Sequence, residues 1–293
     1  MGIPEAQLQT WSNQGATSTA EATHKSIRAA LEQLDWPNGV KYEAYLQGSY
    51  RNSTNIRGNS DVDLVVECTS VSYSNLTDEE RDRLDITPSD YTWSVFRQHV
   101  IQALTQYYGS SLVDTTGSKS LKVLPDSGRL KADVVVATRY NHYKALAIEA
   151  TGMTFWAQPE NTQIINHPKL HYDNGTSKNA NERTKGWYKP TLRMFKNARE
   201  RITSDKPSLS GHFPSYFLEC LFFNVPDDRF GGSYQHEYAE AVNWLNEQLG
   251  TDAADKFVCQ NWRYYLFGTL PVQWTRARAE QLVRELISLW NDW

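Results

Sequence analysis

The sequence predicts an α+β fold, with a mixed sheet and its helices in the first half packed against a helical lobe in the second. Three observations carry that prediction. Two β-type runs, Val40 to Leu46 and one continuing through Leu64-Val65-Val66, flank a polar stretch. Leu121 to Leu124 and Leu130 to Thr138 read as a hairpin around Pro125-Asp126-Ser127-Gly128. In the second half, apolar residues recur at helical spacing instead.

Taken in order, disorder is confined to at most the first dozen residues. Ser18-x-x-Glu21 resembles a capping box opening a helix with Ala20, Ile27, Leu31 and Leu34 on its apolar face, stopped by Pro37-Asn38-Gly39. Residues 74–90 are polar and read as a solvated excursion with a short helix. Trp93, Phe96, Val100, Leu104 and Tyr107 recur at helical spacing and should cover one sheet face. Residues 140–156 hold another strand or two, and the Gly- and Asn-rich residues 173–181 form a loop. Helices are expected over Lys185 to Ile202, Ser215 to Phe223, Tyr234 to Leu249 and Arg276 to Trp293. The division is 1–170 for the sheet-bearing part with its N-terminal helix and 171–293 for the helical lobe, with a ligand-binding cleft between them.

A chain of 293 residues with 40% hydrophobic content, 10 Trp and 16 Tyr is globular. Its net charge of −4 argues against coating long nucleic acid. Cys68, Cys220 and Cys259 read as buried free thiols of a reducing compartment. No signal peptide or long apolar span is present, so a cytoplasmic protein without membrane contact is expected. Zinc is not expected, Ser49 has no neighbouring His to activate it, and Gly231-Gly232 is a loop.

Chemistry concentrates in Gly48-Ser49 and Asp61-Val62-Asp63. Side chains alternate along a strand, so Asp61 and Asp63 share a face while Val62 enters the core. Paired carboxylates repel unless a cation neutralises them, and Mg²⁺ takes one or two carboxylates together with substrate phosphates. A Gly-Ser turn offers backbone N–H groups and a hydroxyl to such phosphates. Asp133, alone in the β-branched run Ala132-Asp133-Val134-Val135-Val136, would join them if its strand lay alongside. The competing reading of each acid is a solvated strand edge. Lys185, Lys189, Arg193 and Lys196 share a helix face that could be a solvated stripe or a phosphate clamp.

Gly48-Ser49, Asp61-x-Asp63 and the later Asp133 resemble the polymerase-β-type nucleotidyltransferase superfamily. Ile165 to Lys169, Tyr188 to Arg201 with Lys196, Pro214 to Glu219, and Gln273-Trp274 to Trp293 narrow the likeness. They resemble the bacterial cGAS/DncV-like nucleotidyltransferases, in particular their E-like clade, which make cyclic oligonucleotide signals in anti-phage defence. The resemblance implies a polymerase-β-like core and transfer of nucleotides from ATP, UTP or GTP. It also implies two Mg²⁺ ions, or Mn²⁺ in their place, with Asp61 and Asp63 bridging both and Asp133 holding the one beside the attacking hydroxyl. Gly48 and Ser49 would meet the triphosphate. Lys196 would hold its tail, Ser215 would contact phosphate and Tyr216 would stack on a base. Helix N-capping by Ser215 and core packing by Tyr216 are the alternatives.

Asn166, in a segment read as a loop entering the cleft because Pro168 disfavours helix at His167, is the candidate for reading a uracil edge. An Asx turn is its alternative. Regulatory or effector proteins of a defence operon are the partners the family implies. Two other functions compete: transfer of a nucleotide to RNA, protein or a small molecule, and non-catalytic nucleotide sensing. Neither a broad basic track nor a loss of the three acids is present to favour them.

Overall fold

The structure, a computed structural model, describes residues 2–58 and 61–293. In chain order its elements begin with α1 (Glu5–Ser12), α2 (Ser18–Glu32), β1 (Tyr42–Leu46), α3 (Gly48–Asn52), β2 (Val62–Ser74), α4 (Asp78–Arg83) and α5 (Trp93–Tyr108). Strands β3 (Val113–Asp114), β4 (Leu121–Val123), β5 (Ala132–Lys144), β6 (Ala147–Ala157) and β7 (Thr162–Asn166) follow. The chain then turns helical: α6 (Pro168–Asn179), α7 (Tyr188–Asp205), α8 (Ser215–Phe223), α9 (Tyr234–Leu249) and α10 (Arg276–Asn291).

Two compact units result. The sheet unit is Ala16–Tyr50 with Ser60–Pro168, and the helical unit is Met1–Gly15, Arg51–Asn59 and Lys169–Trp293. This differs from a division at 170 in assigning the first residues and a stretch after α3 to the helical unit. Residues 2–12 are built into the helical unit rather than disordered: Ile3 and Leu8 are fully buried in its core. Glu5 accepts hydrogen bonds from the backbone N–H of Tyr234 and Gln235, 2.9 and 2.8 Å away, and so satisfies free donors at the start of α9.

In the sheet unit the order is β1-β2-β5-β4-β3, with β6 pairing β5 and β7 pairing β6. The β2–β5 pair is parallel and the others antiparallel, which makes the sheet mixed. Alternation along β2 and β5 separates two faces. Leu64, Val66, Val134 and Val136 join Ile27 and Leu31 of α2 and Phe96, Val100 and Leu104 of α5. Val65, Val135 and Ala137 point to a second cluster with Met153 and Phe155. Tyr107, expected to cover the sheet, is instead 39% exposed. The expected capping box at Ser18 does not form, since Thr17 is the N-cap and makes no side-chain bond. A capping box does form at Thr77 and Glu80, at the head of α4.

The helical unit corrects two further expectations. Residues 173–179 belong to helix α6 rather than to a loop. Gly175 is there because the Gln260 side chain lies where a Cβ would stand, 2.3 Å from it, and Asn174 donates to Gln260 O at 2.7 Å. Lys185 lies outside α7, in a turn where its φ is +52°. Lys196 is 2% exposed: its ammonium donates to Glu219 Oε1 at 2.5 Å and to Thr54 O and Oγ1 at 3.1 and 3.0 Å. His171 Nε2 meets the other Glu219 oxygen at 2.8 Å. Burial works to raise the Glu219 pKa, but the Lys196 charge and the His171 contact outweigh it and hold the carboxyl well below its usual range.

Glu237 on α9 is fully buried, accepting from the Gly231 N–H at 2.5 Å and from Thr191 Oγ1. Burial, with the nearby Glu5 charge adding, pushes its pKa up from 4.5 to about 7 against those two hydrogen bonds. A folded pKa above the unfolded one contributes stability below about pH 4.5, lost as pH rises through about 7. Glu237→Gln should therefore match wild type near pH 5 and exceed it by about 1–3 kcal/mol at pH 8. Urea midpoints at the two pH values measure this, and equal wild-type and variant stability at pH 8 would contradict it.

Candidate active site

The sheet unit gathers its acids by register. In the parallel β2–β5 pair Asp63 stands opposite Asp133, one step after Val62 opposite Ala132. Both acids precede by two the residues Val65 and Val135 of the second cluster, so they share the face away from α2 and α5. Asp61, two residues before Asp63, has the same parity. Asp133 Oδ1 is buried and has no hydrogen-bond partner among the described residues.

Gly48 has a positive φ of +62°, and a Cβ built on it would lie 2.3 Å from Asp63 Oδ2. Glycine is required there on both counts: the backbone is in the left-handed region, and the carboxylate occupies the space of a side chain. The Gln47 N–H donates to Asp63 O at 2.9 Å, fixing the end of β1 against the start of β2. The predicted Gly-Ser turn is the first turn of α3, with Ser49 buried. Burial raises the Tyr50 pKa, and the charges of Asp61 and Asp63 raise it further, so this phenol stays protonated beside them.

Lys131 was not singled out by sequence reasoning, although Lys131-x-Asp133 gives it the parity of the acids. Its Nζ lies 2.6 Å from Asp61 Oδ2. The Asp61 hydrogen bond raises its pKa most, and the charges of Asp133 and Asp63 add to that. Asp61 is thus drawn to a lysine. Among the described residues no three Asp, Glu, His or Cys side chains converge closely enough to hold a metal ion. The sequence expectation of three convergent carboxylates is not reproduced: Asp63 and Asp133 share a register position, and Asp61 is turned to Lys131. The register of that pair and the unpartnered buried oxygen of Asp133 nevertheless suit a hard divalent cation, which takes oxygen ligands. Asp61 could join once released from Lys131.

The other candidates lie apart in the chain. Asn166 is not in a loop: it is the exposed last residue of β7, opposite Met153, and α6 begins two residues later at Pro168. Ser215 opens α8 after Pro214 without capping it, and its Oγ accepts from Arg199 Nη1 at 3.1 Å. Tyr216 is 40% exposed, its ring 5.1 Å from that of His171 and 5.6 Å from that of Trp274. An exposed ring flanked by two others is held in place with area left for a planar ligand. Lys196, in contrast, is enclosed by Glu219 and Thr54.

The chain resembles known proteins along its length. Residues 26–110 match the nucleotidyltransferase domain, and residues 173–291 match the cGAS/DncV-like nucleotidyltransferase C-terminal helical domain. The chain is 48% identical over 297 residues to a cyclic UMP-AMP synthase of Rhodothermus marinus, covering 100% of this chain and 99% of that one. It is 35% identical to the cyclic nucleotide synthase CdnE01 of Staphylococcus haemolyticus, with both chains covered in full (100%). The solved structure of the Rhodothermus marinus CdnE c-UMP-AMP synthase with Apcpp and Upnpp superposes with a TM-score of 0.92, over 99% of this chain and 97% of that one. On these likenesses the chain belongs to the cGAS/DncV-like nucleotidyltransferases, in their CdnE-like branch.

Proposed function

We propose that this protein is a cyclic oligonucleotide synthase that joins two nucleoside triphosphates into a cyclic dinucleotide, one of them carrying uracil. The observation that carries the reading is the register of Asp63 against Asp133 beneath the glycine at 48. Each of two rounds attacks an α-phosphorus with a ribose hydroxyl, forms one P–O bond and breaks another to release pyrophosphate. Asp63, Asp133 and a released Asp61 are the residues that would hold divalent cations, two Mg²⁺ in our reading. When bound, such ions stabilise charge on the attacking and leaving oxygens. Asp133, in register with Asp63, is placed to assist deprotonation of the attacking hydroxyl. Gly48 lets the backbone approach the phosphates, and Ser49 donates its hydroxyl to them. Tyr216 stacks on a base, and Ser215, once turned from Arg199, donates to phosphate.

Uracil is favoured because the 48% identical relative is a cyclic UMP-AMP synthase and Asn166 presents an exposed amide at the end of β7. An amide donates and accepts together, as the N3–H and O4 edge of uracil requires. The product would act as a second messenger of anti-phage defence on an effector protein, in the cytoplasm where the triphosphates are. Incubation with all four triphosphates, followed by mass analysis of the cyclic product, tests the base assignment. Wild type should incorporate uridine and adenosine, and Asn166→Ser should shift incorporation from UTP towards ATP. An unchanged composition in the variant would remove Asn166 from base reading.

A further inference from the structure

Cys220 on α8 and Cys259, in the stretch between α9 and α10, are free thiols that meet in the core of the helical unit. A hydrogen bond joins the two side chains. The N–H of Gln260, the residue after Cys259, donates to Cys220 Sγ at 3.4 Å, so the backbone of one cysteine is held at the sulfur of the other. The remaining cysteine, Cys68, belongs to the sheet unit's core, where its Sγ lies 3.4 Å from Ser70 Oγ.

The cover over Cys259 is a turn. The Cys259 N–H donates to Tyr264 O and the Trp262 N–H donates to Cys259 O, both at 2.9 Å, while the Cys259 thiol donates to Tyr265 O at 3.8 Å. Trp262 and Tyr265 are exposed, and Trp262 has a φ of +57°, a left-handed conformation that a bulky side chain rarely adopts. A strained, exposed turn opens at lower cost than the helices around it, and opening brings the thiol beneath it to solvent. Burial raises the Cys220 thiol pKa, whereas the hydrogen bond from Cys220 lowers that of Cys259, so Cys259 is the thiol that ionises first.

The pair also touches the candidate base platform. Tyr216 precedes Cys220 by one helical turn, and its hydroxyl is hydrogen-bonded to the Cys220 side chain. Backbone bonds run from the Leu266 N–H to Phe257 O at 2.7 Å and from the Trp274 N–H to Leu266 O at 2.9 Å. They tie the limb that carries Cys259 to Trp274, whose ring flanks that of Tyr216. A disulfide holds its sulfurs about 2 Å apart, closer than a hydrogen bond does, and leaves no thiol for Tyr216 to bond.

We propose that Cys220 and Cys259 form a reversible disulfide under peroxide, and that this bond withdraws Tyr216 from nucleobase binding. The Cys259 thiolate attacks a hydrogen peroxide oxygen, forming an S–O bond and breaking the O–O bond; the hydroxide released takes up the proton Cys259 had lost and leaves as water. The Cys220 thiol then attacks that sulfur, forming the S–S bond, breaking the S–O bond and releasing a second water. Two thiols are oxidised and one peroxide is reduced, and a dithiol reverses the change by exchange. The effect on nucleotide rests on the base-stacking reading of Tyr216, whereas formation of the disulfide does not.

The full chain is treated with hydrogen peroxide, digested without reduction and mapped by mass. Its affinity for a non-hydrolysable ATP analogue is measured by calorimetry before oxidation, after it, and after dithiothreitol. A peptide linking Cys220 to Cys259 is expected, with Cys68 still a thiol. Analogue affinity should fall about tenfold in the oxidised chain and return with dithiothreitol. Cys259→Ala should bind as reduced wild type does and ignore peroxide, and Cys68→Ala should respond as wild type does. Absence of the linked peptide from wild type would overturn the proposal, as would a linked peptide with unchanged affinity, or a peroxide effect that persists in Cys259→Ala. A linked peptide with lowered affinity, from a chain that makes no cyclic product when reduced, would leave the disulfide standing and remove the synthase reading.

Discussion

Lys196→Ala should unfold the protein at markedly lower denaturant, by about 3–5 kcal/mol, because the substitution strands a buried carboxylate. Glu219 is 4% exposed, and Lys196 is its charged partner at 2.5 Å, with His171 on the other oxygen. Thr54 Oγ1 also donates to Glu219 at 2.7 Å, so the lysine closes a network joining the 51–59 stretch, α6, α7 and α8 within the helical unit. Replacing both charges, as in Lys196→Met with Glu219→Gln, should recover part of the loss, since no buried charge is then unpaired. Urea denaturation of the single and double variants measures both effects. A raised KM for triphosphate at an unchanged unfolding midpoint would instead place the Lys196 ammonium on the substrate.

The second large effect is on turnover. Asp61→Asn together with Asp63→Asn should lower product formation by on the order of a thousandfold or more, since metal-bound charge stabilisation at the phosphates is lost. Stability should change little. The Lys131–Asp61 pair has side chains 31% and 41% exposed, and such pairs contribute about 0–1 kcal/mol. A melting temperature near that of wild type, with no product above background, is the expected pair of results. Product at a near wild-type rate would remove these acids from the chemistry.

Much of this was legible in the sequence because periodicity reports burial directly. Ser215 to Phe223 and Tyr234 to Leu249 are helices over the predicted bounds, and the β-branched run around Asp133 is β5. The side-by-side placement of Asp63 and Asp133 could only be conditional, because parallel register is set by contacts distant in sequence. Helix α6 was hidden by its composition. Asp173 to Asn179 reads as a loop, and tertiary contacts make it a helix: Gln260 against Gly175 and Asn174, and buried Lys178 donating to Val225 O at 2.7 Å. Helix α1 spans 8 residues, too few to show a period, and its role emerges only where Ile3 and Leu8 are buried and Glu5 caps α9. The burial of Lys196 was not legible for a related reason. Helical spacing grouped it with Lys189, but its partners lie 23 and 142 residues away, and they bury it.

The central claim is that the Asp63–Asp133 pair belongs to a working synthase of cyclic nucleotides. The direct measurement incubates the purified full chain with α-labelled triphosphates and Mg²⁺, then treats the mixture with phosphatase and separates the labelled species. The account predicts a small labelled product that resists phosphatase, appears with UTP and ATP together, and is absent from the Asp61→Asn/Asp63→Asn variant. Label confined to RNA or protein, or complete conversion of label to inorganic phosphate, would contradict it.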